Sequence, residues 1–177
     1  MNRKKFFKRE STVGFIFLGV VLIGMVIGIS FSILNSENIG NPTNYTFETI
    51  DGETIDLAEH KGKIVIIYFH FLECNFCAKT TPLLAKIEDD YSNNSLYIIT
   101  ITIELVDTNG ALNNWRSSYN ATWDLVRDDI DHSISSRYDI SITPTTLIYD
   151  KNGDLIIELL GITNFNSTVR SEIDSHL

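Results

Sequence analysis

The chain opens on an unbroken apolar block. Val13 to Leu34 reads VGFIFLGVVLIGMVIGISFSIL, 22 residues without a charge. At about 1.5 Å rise per residue a helix of that length covers roughly 33 Å, enough to cross a hydrocarbon core of about 30 Å. The pattern predicts an N-terminal transmembrane helix over 13–34, preceded by a short basic tail over 1–12. Residues 35–44, NSENIGNPTN, are polar with Gly and Pro and read as a linker. From residue 45 the periodicity changes. Tyr45 to Ile50 alternates, Asp51-Gly52 marks a turn, and Thr54 to Leu57 resumes, which predicts a hairpin. LAEHKGK is a short helical turn ending at Gly62. Ile64 to Phe71, IVIIYFHF, is almost continuously apolar and β-branched, the signature of a central strand covered on both faces. Leu83, Leu84, Ile87 and Tyr91 then recur at helical spacing within 75–91, and LYIITITI over Leu96 to Ile103 is a second buried strand.

Further on, Leu112, Trp115 and Tyr119 share one side of a helix over Asn109 to Tyr119, and Asp131 to Tyr138 reads as a shorter helix. Thr145 to Tyr149 is a third strand, turned by Lys151-Asn-Gly-Asp into Leu155 to Leu160, and Phe165 to His176 closes the chain as an amphipathic helix. Strands alternating with helices before a closing hairpin predict an α/β domain over 45–177, with a mixed central sheet and helices on both faces.

Charge orients the membrane segment. Arg3, Lys4, Lys5, Lys8 and Arg9 precede it, and Asn35, Ser36, Glu37 and Asn38 follow. Positive residues stay cytoplasmic, which places the domain outside. The competing reading is a cleaved signal peptide. Its apolar region is usually about 7 to 15 residues and ends in a small-x-small site; SISFSILNSE offers no such site, so the expectation is an uncleaved signal-anchor. Gly24 and Gly28 form a small-xxx-small pair of the kind that supports helix dimerisation. Beyond residue 34, 9 Lys and Arg stand against 22 Asp and Glu, a balance of −13. Such a surface repels nucleic acid and anionic headgroups. Sequons at Asn44, Asn93, Asn120 and Asn166 are compatible with an external location, but the Asn, Ser and Thr content would produce several by chance.

The candidate chemistry sits in FHFLECNFCAKTTP, which holds the only two cysteines, Cys74 and Cys77. A disulfide closing so short a gap constrains almost no chain, so a purely structural bridge stabilises little. Two thiolates make half of a tetrahedral zinc site, yet a second pair is missing, and His60, His70, His132 and His176 lack a matching spacing. Copper held by both sulfurs and His70 or His132 remains an alternative. Redox chemistry fits best. The pair lies where a buried strand gives way to a helix, Cys74 at the helix start and Cys77 one turn inside. Free N–H groups and the helix dipole there stabilise a thiolate, and the spacing keeps the second sulfur within reach of a mixed disulfide.

From these residues the outer domain resembles the thioredoxin superfamily. The match is nearest to membrane-anchored, extracytoplasmic thiol-disulfide proteins of the cytochrome-c-maturation and TlpA-like kind. The resembling segments are DGETIDLAEHKGKIVIIYF, CNFC, Pro82, ITPTTLIYDKNGDLI and Gly161, in family order across 45–177. The resemblance implies a thioredoxin-like fold, Cys74 as exposed nucleophile, Cys77 as buried resolving thiol and Pro144 as a cis-proline facing them. It also implies that Thr143 offers its backbone to an extended substrate, like an added strand. Pro82 reads as a helix kink. The chain departs from the family pattern at Glu73, where an aromatic is usual and where a carboxylate opposes thiolate formation. It departs again at Tyr68, where thioredoxins proper carry a buried acid, so no proton acceptor for Cys77 is identified. His70 stands where an aromatic often stands; protonated, it would favour the Cys74 thiolate, and otherwise it is a partly buried strand histidine. The dipeptide Asn75-Phe76 differs from the Gly-Pro or Pro-Pro of many reductants.

The expected function is thiol-disulfide exchange on extracytoplasmic proteins, without cofactor or metal, recharged by a membrane or extracytoplasmic redox partner. A copper-delivering metallochaperone and a redox-inactive anchored binding module are the alternatives.

Overall fold

The computed structural model describes residues 45–91 and 95–177. The expected tail, membrane span and linker, and the sequons at Asn44 and Asn93, lie outside these residues. Among the described residues, no helix is long and apolar enough to cross a membrane.

Among the described residues, strands β3 (Ile64–His70), β4 (Leu96–Thr102), β5 (Asp124–Arg127), β6 (Thr145–Tyr149) and β7 (Leu155–Leu160) form one mixed sheet in the order β5-β4-β3-β6-β7. A hairpin of β1 (Thr46–Glu48) and β2 (Thr54–Asp56) lies apart from that ladder and touches it through an isolated bridge from Thr49 to Val126. A 3-10 turn, Leu57–His60, follows, capped by the Asp56 side chain on the Ala58 N–H. Helices α1 (Cys77–Asp90), α2 (Asn109–Ser118), α3 (Ser133–Arg137) and α4 (Phe165–His176) complete the domain.

All seven residues of β3 are buried, and their alternation divides the core in two. Ile64, Ile66 and Tyr68 join Leu84 and Ile87 of α1 and Phe165, Val169 and Ile173 of α4. Val65, Ile67 and Phe69 turn the other way, onto Phe47, Ile55, Leu57 and Ile134. Successive side chains of a strand point to opposite faces, so an apolar run without polar interruption is what a strand covered on both sides requires. Emptying one such position, as in Ile67→Ala, costs about 2–5 kcal/mol.

Two elements differ from expectation. Asp124–Arg127 is a strand that periodicity did not reveal, because only Leu125 and Val126 of its four residues are buried. The expected helix over 131–138 contracts to Ser133–Arg137. His132 takes a left-handed φ of 53° and Asp139 one of 54°, which bend the chain at both ends. The buried Asp128 carboxylate accepts the N–H groups of Ile134 and Ser135 and so caps that first turn.

The strand directions determine what meets at the functional end. β3, β4 and β5 run parallel, and β6 runs antiparallel between β3 and β7. The loops leaving β3, β4, β5 and β7 and the loop entering β6 therefore share one edge of the sheet.

Candidate functional site

β3 ends at His70 and the chain turns through residues 71–76 into α1. The Cys74 carbonyl accepts the Ala78 N–H at 3.0 Å, the first helix-type bond, and Phe76 already has helical angles of −77° and −35°. Cys74 thus occupies a capping place although the regular helix starts at Cys77. Its Sγ accepts the Cys77 backbone N–H at 3.0 Å. A sulfur accepting a free N–H at a helix mouth is in the environment that favours thiolate over thiol. The two sulfurs are joined as a disulfide, with S–S 2.09 Å and Cα–Cα 5.1 Å. Both cysteines belong to the apolar core, Cys74 at 5% and Cys77 at 2% exposure. The resemblance implied an exposed Cys74. In the oxidised pair it is the less covered of the two, but at 5% exposure it is buried, not exposed.

Across from this turn, Thr143-Pro144 is a cis peptide. The Thr143 hydroxyl lies 3.8 Å from Cys74 Sγ, so the structure brings together two segments 69 residues apart. Pro144 is buried at the entry to β6, and its carbonyl accepts the Gly161 N–H at 2.8 Å. Gly161 reaches that position with φ of +75°, a conformation glycine adopts without strain.

Beneath Cys77, hydroxyls replace the absent acid. Tyr68 Oη and Thr80 Oγ1 are 2.6 Å apart, and Thr81 Oγ1 donates to the Cys77 carbonyl at 2.8 Å. Thr80 Oγ1 also reaches that carbonyl at 3.2 Å. Burial pushes the Tyr68 hydroxyl up to about 12, so it remains a proton donor. The threonines stand three and four residues after Cys77, a spacing readable in the sequence that places them over its carbonyl.

His70 is fully buried and stacks on Trp115, with ring centroids 4.3 Å apart, and on Tyr68 at 5.5 Å. Neither ring nitrogen has a hydrogen-bond partner among the described residues. Burial drives its pKa down to about 3. The imidazole is therefore neutral at ordinary pH and, contrary to the expectation for a protonated His70, supplies no cationic support to Cys74. Glu73, the other candidate modulator, is exposed beside Cys74.

Asp107 was not anticipated. It is buried just beyond β4, and its Oδ2 accepts the Leu72 N–H at 3.0 Å and the Thr102 hydroxyl at 2.5 Å. It ties the loop after β4 to the loop that delivers Cys74. No sequence pattern links positions 72 and 107, since the pairing arises only when β4 lies beside β3.

Among the described residues no three His, Cys, Asp or Glu side chains converge. His132, the other histidine considered for copper, faces Asp128 at 3.6 Å instead.

Comparison with known proteins agrees with this geometry. A model of the AhpC/TSA family matches residues 39–157. The thiol-disulfide oxidoreductase ResA of Bacillus subtilis is 24% identical over 155 residues, which cover 83% of this chain and 84% of that protein. A thioredoxin-like protein from Aeropyrum pernix superposes with a TM-score of 0.66 at 22% identity, over 86% of this chain and 99% of that one. A secreted disulfide oxidoreductase of Mycobacterium tuberculosis gives 0.64 at 21% identity, over 76% and 97%. The last two likenesses establish a thioredoxin-like fold.

Proposed function

The chain belongs to the AhpC/TSA family, and we propose that its Cys74–Cys77 pair exchanges thiols and disulfides with protein substrates at the sheet edge that carries Pro144. The observation that carries this reading is the disulfide itself, at the start of a helix, with the Thr143 hydroxyl 3.8 Å from Cys74 Sγ. It is a thiol-disulfide oxidoreductase, as its Bacillus subtilis relative is named.

In the reducing direction the Cys74 thiolate attacks a substrate disulfide. One S–S bond breaks, a mixed disulfide forms and the first substrate thiolate leaves. Cys77, deprotonated, then attacks the Cys74 sulfur, the mixed disulfide breaks and the second substrate thiolate leaves. Two electrons pass to the substrate, which takes up two protons from solvent, and the chain is left with its internal disulfide. The reverse sequence oxidises a dithiol. Direction is set by the protein that recharges the pair, a membrane or extracytoplasmic redox partner in this proposal. Thr143 presents backbone to an extended substrate segment, and Pro144 holds that backbone in place.

The proposal also places the domain outside the cell membrane, anchored by residues 13–34 with the N-terminus cytoplasmic. The apolar run and its basic flank support that placement. Impermeant thiol labelling of intact cells tests the topology: labelling of the reduced pair supports it, and labelling only after lysis contradicts it. Insulin reduction and oxidation of a reduced unfolded substrate, run beside Cys74→Ser, test the chemistry. Activity in one direction that disappears in the variant is expected; activity unchanged by the variant overturns the reading.

A further inference from the structure

Most of the large apolar side chains left exposed among the described residues gather at the edge that holds the disulfide. Phe76 lies within the cysteine loop, Leu105 and Val106 follow β4, Ile130 follows β5 and Ile142 precedes Thr143. Val106 and Ile130 are each 80% exposed. Single exposed apolar residues are ordinary, but a set grouped around a reactive centre marks a contact surface.

The Val106 turn is held in this exposed position. The Arg127 guanidinium donates to the Leu105 carbonyl at 2.9 Å, the Asp107 N–H bonds back to Glu104, and the Asp107 carboxylate grips the Leu72 N–H. The loop is braced from both sides while its apolar side chains face outward.

Acids interleave with these residues. Glu104 precedes Leu105-Val106, Asp129 and Asp131 flank Ile130, and Glu73 stands three residues before Phe76, all four exposed. Fewer bases stand on the same loops, and Asp129 is itself bonded to Asp131 and Ser133. Arg127 is bonded to Leu105 and Asn109, and Lys79 lies over the Phe76 ring, 5.5 Å from its centroid. His132 faces Asp128. These contacts leave Arg127 and Lys79 charged, so they count against Glu73, Glu104, Asp129 and Asp131, and the balance of these six, two bases against four acids, is −2.

We infer that the disulfide edge docks a cationic amphipathic polypeptide segment, one that carries its cysteine among apolar side chains with Lys or Arg close by. This rests on the exchange reading above and narrows its substrate class. The apolar side chains supply contact area, and the acids supply orientation and selection against acidic partners.

The test uses the full chain in nonionic detergent and fluorescent peptides in three forms: apolar with Lys flanks, apolar with Glu flanks, and polar with Lys flanks. Each is made with Ser for binding, read by anisotropy, and as a disulfide for exchange. The apolar Lys form is expected to bind about tenfold tighter than the Glu form at low salt, with the ratio falling to about twofold at 0.5 M salt. The polar Lys form is expected to bind about tenfold weaker than the apolar one. Joint replacement of Glu104→Gln and Asp129→Asn narrows the Lys-to-Glu ratio at least threefold. Because each ratio is measured within one protein sample, a partly unfolded variant does not mimic that result. Equal affinities for all three peptides overturn the inference whether or not exchange occurs. Lost exchange with preserved binding preference overturns the exchange reading and leaves the docking surface standing. Concentration-dependent self-association that blocks peptide binding assigns the edge to a second copy of the chain and overturns the inference.

Discussion

The backbone N–H of Cys77 points at the sulfur of Cys74 from 3.0 Å. When the pair is reduced, that N–H stabilises negative charge on Cys74 at the mouth of α1, whereas Glu73 opposes it. The contact with the N–H is direct and the carboxylate is solvated, so the N–H is expected to prevail. Thiolate absorbance titrated against pH is expected to place Cys74 below the usual thiol value of about 8.5, and Glu73→Gln to lower it further. A value at or above that of a free thiol would show that the helix mouth does not activate the residue.

His70 makes stability depend on pH. Folded, it resists protonation down to about pH 3; unfolded, it takes up a proton near pH 6.5. Between these values the unfolded chain binds the extra proton, so stability falls as pH falls. The slope from this one group is at most about 1.4 kcal/mol per pH unit. Denaturant unfolding at pH 7 and pH 5 is expected to show a smaller loss in His70→Phe than in the parent chain. The variant is expected to match or exceed the parent at pH 5, because it also removes two buried nitrogens that have no partner among the described residues.

Asp107 couples two loops through one carboxylate. Asp107→Ala leaves the Leu72 N–H and the Thr102 O–H without their acceptor, at a cost of about 1–3 kcal/mol. The loop before Cys74 loses its tether, so exchange rate is expected to fall more than the stability change alone explains. Rates measured well below the unfolding midpoint separate the two effects, and an unchanged rate there would mean the tether is purely structural.

Tyr68 is expected to act as a brace. Tyr68→Phe removes the hydroxyl contact with Thr80 at 2.6 Å, at a cost of about 1 kcal/mol. Because the hydroxyl stays protonated up to about pH 12, that cost is expected to be the same at pH 7 and pH 9 in parallel denaturation curves.

The two core layers were legible because the β3 run is apolar almost without a break, which requires cover on both faces; Ile64, Ile66 and Tyr68 take one and Val65, Ile67 and Phe69 the other. The cysteine pair was legible because it lies just after that run. β5 was not, since Asp124 and Arg127 bound only two apolar residues and its burial depends on β4. The burial of His70 was also hidden. Trp115, which stacks on it, arrives from a helix 45 positions later. Asp107 and Leu72 meet for the same reason, through strand neighbours that periodicity alone does not pair.

The most direct test of the division of labour between the two sulfurs is covalent trapping. Reduced full-length Cys77→Ser, mixed with a disulfide substrate, is expected to accumulate a thiol-cleavable adduct that mass spectrometry places on Cys74, while the parent chain releases product and returns to its internal disulfide. No adduct, or an equal yield when Cys74 is also replaced by Ser, would contradict the assignment of Cys74 as the attacking sulfur.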